Sequence, residues 1–206
     1  MGMDTAKAAD DPDRAAEQVL ARTRLWLERA VVGLNLCPFA KAVMVKRQIR
    51  WVVSAATSTQ ALLQELAVEL QFLAASDPEA VETTLLIHPH VLEDFREYLD
   101  FIDIAEDAVA ELGLEGELQV ASFHPQYQFA GSRPDDIENF SNRSPYPMLH
   151  LLREASISRA VEAFPDAAVI SETNIETLRR LGHAGWRQLW VDKAAGGQGI
   201  GVEDAE

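Results

Sequence analysis

The fold is decided by the stretch TTLLIHP, residues 83–89, an apolar run that ends in a His-Pro pair. Its β-branched residues, its length and the closing proline predict a buried β-strand. LQVASFHP, residues 118–125, repeats the pattern, and IRWVVS, residues 49–54, is a third run of this kind. Apolar residues at helical spacing over residues 60–75 and 90–112 separate the three runs. The middle of the chain therefore predicts strand, helix, strand, helix, strand.

This alternation predicts an α/β fold, in which a small βαβαβ sheet forms a two-layer or three-layer sandwich with additional helices. Long crossovers favour parallel pairs, and a split βαβ arrangement with antiparallel pairing, of the α+β kind, is the alternative. In the parallel arrangement His88 and His124 leave their strands at the same edge of the sheet. That is the carboxyl edge, where open α/β sheets bind their ligands.

Further elements flank the predicted sheet. They are helices at residues 14–32, 147–163 and 175–181, a short strand at 168–170, and a last strand or extended tail at 186–191. The sequence therefore predicts one α/β domain over residues 13–193. A disordered tail at residues 1–12 precedes it and a flexible, glycine-rich tail at residues 194–206 follows it.

The composition is that of a soluble globular protein, with 48% hydrophobic and 25% charged residues in a chain of 206. The formal net charge of −15 disfavours binding to nucleic acid or to an anionic membrane, because both reward dense lysine and arginine. Cys37 is the single cysteine, which excludes an intramolecular disulfide and predicts a cytoplasmic location. No apolar run reaches the ~18 residues that a membrane helix needs. The oligomeric state stays open.

The segment FHPQYQFAGSRPDDIENFSNRSPYPMLHLLRE, residues 123–154, concentrates polar and titratable side chains. Its prolines and glycine exclude one regular element, and a loop this long inside a compact domain is functional or disordered. Its aromatic anchors favour an ordered, functional loop. Its arginines are suited to bind carboxylate or phosphate, so a small anionic substrate is the predicted partner. The predicted substrate-binding residues are Asn35, Tyr127, Arg133, Asp135, Asp136, Asn142, Arg143, Ser144, Tyr146, His150, Arg153 and Glu154.

Cys37 is the predicted nucleophile. Pro38 suits the first position of a helix, which places Cys37 at the N-cap, where free amides and the helix dipole favour the reactive thiolate. Lys41, one turn further on, acts in the same direction. His124 is the predicted general base, so the leading hypothesis is a cysteine-dependent hydrolase or an acyl or group transferase. The competing interpretation is a buried cysteine that serves as a small hydrophobe.

His150, Arg153 and Glu154 share one face of the helix predicted after the loop, by their i, i+3 and i+4 spacing. On that face Glu154 fixes the tautomer of His150, and Arg153 binds the anion. The competing interpretation of this face is a solvated helix surface. For the arginines of the segment, the competing interpretation is a structural role, in which they pair with Asp135, Asp136 and Glu154 to hold the loop.

A metal centre is the second hypothesis, with a divalent ion bound by His88, His124 and His150. Asp135 or Asp136 completes the ligand set of such a metal-dependent hydrolase or oxidoreductase. No HExxH, CxxC or EF-hand spacing is present, so the motifs predict no cofactor. The third hypothesis is a non-enzymatic module whose loop recognises a ligand.

Four motifs together resemble the signature of the uncharacterised family DUF1415. They are NLCPFA at residues 35–40, FHPxYxF at 123–129, DD at 135–136 and NRSPYPxLHLLRE at 142–154. The resemblance covers about residues 14–191, and the last motif is the most specific. It implies a soluble protein of bacterial type with relatives in plants and no established activity. Some relatives carry a loose peptidase label.

Overall fold

The computed structural model describes residues 12–163 and 167–190. The predicted tails lie outside these ranges, apart from Pro12, which begins the first helix. In the described ranges six α-helices surround a four-stranded mixed sheet, which is an α/β fold as predicted.

The elements are short and follow one another closely. In chain order they are α1 (Pro12–Trp26) with a π-helical continuation (Leu27–Val32), α2 (Ala40–Val45), β1 (Ile49–Val53), α3 (Thr59–Ala75), β2 (Thr83–Ile87), α4 (Phe95–Glu111), β3 (Leu118–Phe123), a 3₁₀ segment (Ile137–Ser141), β4 (Met148–Arg153), α5 (Glu154–Ala163) and α6 (Ala167–Gln188).

The sheet has the strand order β1-β2-β4-β3. β1 and β2 are parallel, and β4 lies between β2 and β3, antiparallel to both. The three strands predicted from the sequence therefore run in one direction, and the split arrangement with antiparallel pairs is the one adopted. His88 and His124 follow strands that end at the same edge, as predicted, because Ile87 and Phe123 both pair with Met148.

Residues 147–163, predicted as one helix, form a strand followed by a helix. The prediction is wrong for the first part, because the gap between β2 and β3 offers ladder partners on both edges of β4. A central strand packed on both faces reads as a continuous apolar run, which periodicity does not distinguish from a buried helix. His150 and Arg153 lie on β4 and Glu154 begins α5, so the three share no helical face.

Helices cover both faces of the sheet, which gives the three-layer form of the predicted sandwich. Leu86 and Leu149 point to the layer of α3 and α4. Leu85 and Met148, their neighbours along the same strands, point to the layer of α1, its π-helical continuation and α6. Successive residues of a strand face opposite sides, so each strand serves both layers. Full burial of one such leucine contributes about 2 kcal/mol.

The helices α3 and α4 begin at side-chain caps. Ser58 accepts a hydrogen bond from the Ala61 amide and caps α3. α4 begins at Phe95 and not at residue 90, because Asp94 is extended and its carboxylate accepts from two amides of the first turn. Within the described ranges, every helix is too short or too polar to span a bilayer.

The end of the described chain is helical where strands were predicted. The prediction of a short strand at 168–170 is wrong, and so is that of a last strand for the described part of residues 186–191. α6 runs through the first range and continues to Gln188, and Trp186 is buried. Gly182, which follows the helix predicted at residues 175–181, lies inside α6 and forms a kink at φ +61°.

Candidate functional site

Buried aromatic and histidine side chains pack around Tyr98 at the carboxyl edge of the sheet, and we call this cluster the Tyr98 joint. The imidazoles of His88 and His124 contact its ring, with centroid separations of 5.9 and 5.0 Å. The Tyr98 hydroxyl donates to the Met148 carbonyl at 2.8 Å and accepts from the Phe123 amide at 2.9 Å. All three ring-bearing side chains are fully buried. The edge thus ties β3, β4 and α4 together.

His124 uses both ring nitrogens within this joint. Its Nε2–H donates to the Leu92 carbonyl at 3.2 Å, and Nδ1 accepts from the Gln126 amide at 3.0 Å. Burial, the largest cause, lowers the pKa of His124. A neutral imidazole with both nitrogens bonded has no lone pair to offer a thiol, so this geometry gives His124 a structural role.

His88 is held on one side only. Its Nδ1–H donates to the Val91 carbonyl at 2.9 Å, while Nε2 is buried and has no partner in the described part of the chain. Burial lowers the pKa of His88 to about 4, so the ring is neutral at pH 7. The hydrogen bond fixes the chain just beyond β2.

Asn139, which the sequence reasoning did not single out, organises the loop. Its side chain is fully buried, and Oδ1 accepts from the Phe129 amide at 3.0 Å and the Ser132 hydroxyl at 2.8 Å. Its Nδ2 donates to the Arg133 carbonyl at 2.8 Å. What distinguishes Asn139 from the other polar residues of the loop is its burial, and a single sequence does not reveal which polar residue is buried.

Two of the predicted anion-binding arginines hold the loop together. Arg133 is exposed and pairs with Asp136 at 3.1 Å, three residues on. Arg143 donates through Nε to the Tyr127 carbonyl at 3.1 Å and through Nη2 to the Pro134 carbonyl at 2.6 Å. These contacts favour the competing interpretation of the segment, in which arginines are structural.

The other loop residues predicted to bind substrate also make local contacts. The ring of Tyr127 packs on Phe95, with centroids 5.3 Å apart, and the Asn142 amide donates to the Ser122 carbonyl at 3.3 Å. The Ser144 hydroxyl donates to the Tyr146 carbonyl at 2.6 Å, and the Asp135 carbonyl accepts from His183 Nε2–H at 3.0 Å.

A cavity of about 910 Å³ lies on the other face of the sheet and is lined by Cys37 and His150 together. Its volume is in the range of small-molecule sites, and its inner walls are apolar. They include Trp26, Leu27, Val31, Leu85, Ala121 and Phe123. Cys37 and His150 therefore both line this cavity, and His124 is not among the lining residues.

The position of His150 follows from the strand that sequence reasoning missed. On β4 it pairs with Leu85 and Ala121, so its ring lies over their face of the sheet. The Thr83 hydroxyl donates to the Leu151 carbonyl at 2.6 Å and therefore accepts from His150 Nε2–H at 2.7 Å. Nδ1 is left as an acceptor without a hydrogen-bond partner among the described residues. Burial lowers the pKa of His150 to about 4.

Cys37 lies in a bend, half-buried, and not at a helix N-cap. α2 starts three residues later at Ala40, with Phe39 as its N-cap. The predicted activation by helix amides is therefore wrong, since α2 is also only six residues long. Asn35, predicted to bind substrate, is exposed and has φ +55°, a conformation that asparagine tolerates in turns.

The loop supports the cavity from outside. The Trp26 indole N–H donates to the Arg143 carbonyl at 2.8 Å, and the Trp26 ring meets Phe123 edge-on with centroids 5.4 Å apart. Both rings line the cavity. The loop before β4 thus fixes one of the walls, while His150 and Arg153 of β4 supply polar groups to the lining.

One side of the cavity carries charge. Its lining includes the cations Lys46, Arg153 and Arg159 and the acids Glu79 and Glu82. Arg159 reaches Glu82 at 3.5 Å, with the arginine side chain mostly exposed. Of the predicted anion-binding residues, Arg153 is thus the arginine that lines this cavity.

The predicted metal ligands do not converge. Among the described residues no three His, Cys, Asp or Glu side chains are grouped to hold an ion. His88 and His124 lie together near Tyr98, whereas His150 lines the cavity on the opposite face. The alternative metal centre on these three histidines is therefore wrong.

The fold and the cavity define an α/β protein with a mixed four-stranded sheet and a small-molecule-sized recess on one face. The chain belongs to the family described as a protein of unknown function (DUF1415), whose model matches residues 18–188. This confirms the resemblance seen in the motifs. No curated protein and no solved structure matches the chain.

Proposed function

We propose that this protein is a cysteine-dependent hydrolase or acyl transferase for a small anionic substrate, with Cys37 as the nucleophile and His150 as the general base. The observation that carries the proposal is that the lone thiol and an imidazole with a free Nδ1 line one apolar cavity. The base assigned from the sequence, His124, is replaced because its two nitrogens are bonded elsewhere.

The chemistry requires a proton to leave the thiol. His150 is neutral at pH 7, because burial lowers its pKa to about 4, so Nδ1 is able to accept that proton. The mechanism requires the thiolate to approach this imidazolium, which it then stabilises as an opposite charge does. Thr83 holds Nε2–H and so keeps Nδ1 as the accepting nitrogen.

The thiolate attacks the carbonyl carbon of an acyl substrate, and the tetrahedral adduct expels the leaving group, which takes the proton from His150. The product is a thioester on Cys37. Water hydrolyses the thioester in a hydrolase, and a second nucleophile takes the acyl group in a transferase. The apolar walls hold the body of the substrate and limit the access of water.

The first test measures the thiol alone, which is simple because the chain has one cysteine. Iodoacetamide labelling of Cys37 is followed across pH in the wild type and in His150→Gln. Glutamine keeps a donor near Thr83 and removes Nδ1, so we expect labelling at pH 7 to slow about tenfold or more. His183→Gln, an exposed histidine, is the control. Equal rates in His150→Gln and the wild type would show that His150 is not the base.

The second test looks for the covalent intermediate. The protein is mixed with p-nitrophenyl esters of short dicarboxylic acids and its intact mass is measured. We expect one acyl group per chain, absent in Cys37→Ser. Release of p-nitrophenol at the wild-type rate by Cys37→Ser, or a mass shift that survives in Cys37→Ser, would overturn the nucleophile assignment.

A non-enzymatic binding role is the second candidate, and one observation favours it. Cys37 precedes α2 by three residues and so lacks the helix amides that activate many catalytic thiols. In this case ligands occupy the cavity and protect Cys37 from labelling, while no acyl adduct forms with any ester.

A further inference from the structure

A second, smaller cavity of about 200 Å³ adjoins the large one at the start of α5. The two share Pro78, Arg153, Ser156 and Arg159 in their linings. A ligand in the large cavity can therefore extend past these residues. Two of the three cations that line the large cavity, Arg153 and Arg159, lie at this shared boundary.

Arg153 is a buried cation without a carboxylate partner in the described chain. Its side chain belongs to a residue only 8% exposed, and Nε has no hydrogen-bond partner. Its Nη2 donates to three carbonyls, those of Leu73, Ser76 and Val81, at 2.7, 2.8 and 3.2 Å. These dipoles offset part of the desolvation cost, but a buried charge is normally paired with an opposite one. The carbonyls of Leu73 and Ser76 belong to the C-terminal end of α3, so backbone dipoles hold this cation, and an anionic ligand would add the opposite charge that the described residues do not supply.

The first turn of α5 and Arg159 lie beside Arg153 at the shared boundary, and we call the place between these three groups the anion corner. The Glu154 amide donates to the Glu117 carbonyl at 2.9 Å, and the next two amides, of Ala155 and Ser156, lie where helix geometry supplies no acceptor. Arg159 donates to the Ser156 hydroxyl at 2.9 Å, which directs its guanidinium toward this turn. Free amides and guanidinium groups are the donors that bind oxyanions.

We infer that the ligand is an amphipathic oxyanion whose phosphate or carboxylate binds between Arg153, Arg159 and the first turn of α5. Its apolar body extends into the large cavity, toward the side where Trp26 and Phe123 form the wall. The inference rests on the proposed function in placing the ligand in the large cavity. It requires no reaction at Cys37, so it stands or falls separately.

Changing the negative charges near Arg159 should alter anion binding in opposite directions. Glu82 competes for Arg159 at 3.5 Å, so Glu82→Gln frees this cation and tightens anion binding. Ser156→Asp places a carboxylate in the corner itself and excludes the ligand's anion. Aspartate in the first turn of a helix is favourable to the helix, so this variant folds.

Isothermal titration with decyl phosphate, decanoate and inorganic phosphate at constant ionic strength tests the inference. We expect decyl phosphate to bind the wild type more tightly than inorganic phosphate does, because its chain buries apolar surface in the cavity. Arg159→Gln is expected to weaken decyl phosphate about tenfold and Ser156→Asp by more, with Glu82→Gln tightening it. Arg180→Gln, an exposed arginine on α6, is the matched control and binds as the wild type does.

Each outcome decides a different point. Decyl phosphate bound equally by all variants would overturn the anion corner and leave ligand binding in the cavity intact. Inorganic phosphate bound as tightly as decyl phosphate would overturn the two-part ligand. Anion binding with the expected variant pattern, together with no acyl adduct on Cys37, would support the inference and contradict the catalytic proposal. The ratio of decyl phosphate to decanoate affinities identifies the preferred headgroup.

Discussion

Replacing His88 by asparagine should remove a defined part of the pH dependence of stability. In the folded protein burial lowers the pKa of His88 to about 4, against the ordinary value of 6.5. The difference of about 2.5 units corresponds to about 3 kcal/mol of unfolding free energy. Asparagine places a side-chain amide near the position of Nδ1–H, so the donor to the Val91 carbonyl is retained without a titrating group.

The sign follows from which state binds the proton. Below pH 6.5 the unfolded chain protonates His88 while the folded chain keeps it neutral, so stability falls as the pH drops toward 4. The contribution of His88 is fully present above pH 6.5. About 2 kcal/mol of it is lost between pH 7 and pH 5. His150, with a pKa of about 4 and the same cause, adds a loss over the same window.

Urea unfolding at pH 7, 6 and 5 measures the effect. The wild type and His88→Asn are compared at each pH, so that the titration of carboxylates cancels in the difference. His90→Asn, at an exposed neighbouring histidine, is the control. We expect the gap between the wild type and His88→Asn to shrink by about 2 kcal/mol from pH 7 to pH 5. A gap that stays constant would refute the assignment of His88 as a buried neutral imidazole.

Three further substitutions test the joints of the fold. Tyr98→Phe removes a buried hydroxyl that makes two hydrogen bonds, and urea unfolding should show a loss of about 2 kcal/mol. Asn139→Ala removes the buried amide that holds the loop, so limited proteolysis should cut residues 128–143 faster while the strand amides keep their exchange protection. Gly182→Ala forces a side chain into φ +61°, ψ 174°, a conformation almost confined to glycine, and thermal unfolding should show a loss of about 1–3 kcal/mol.

The parallel part of the sheet was predictable because its strands carry local signals. β2 is β-branched or apolar throughout and stops at a His-Pro pair, and β3 stops in the same way. β4 has no β-branched residue and follows two prolines, so nothing local separates it from the helix that continues it. Its conformation is set by hydrogen bonds to two strands far away in the sequence. Such non-local pairing overrides local propensity.

The candidate site shows the same limit. The sequence singles out Cys37, but which histidine shares its cavity depends on the direction in which β4 presents its side chains. Once β4 is a strand, the alternation places His150 on the face of Leu85, and His124 remains in the opposite joint. The density of polar side chains in the loop predicts a binding surface, whereas Asn139 uses several of the loop's polar groups for internal hydrogen bonds. Buried polar groups need many donors and acceptors as partners, and in a sequence these structural polar residues look the same as the polar residues of a binding site.

The central position of β4 bears on how the protein is made. The ribosome releases β1, β2 and β3 before β4, yet β3 has no ladder partner other than β4 in the described sheet. The sheet therefore cannot close until about residue 153 has left the exit tunnel, and β3 waits with both edges unpaired. Nascent chains stalled before this point should be recognised by chaperones, and those stalled well after it should resist proteases.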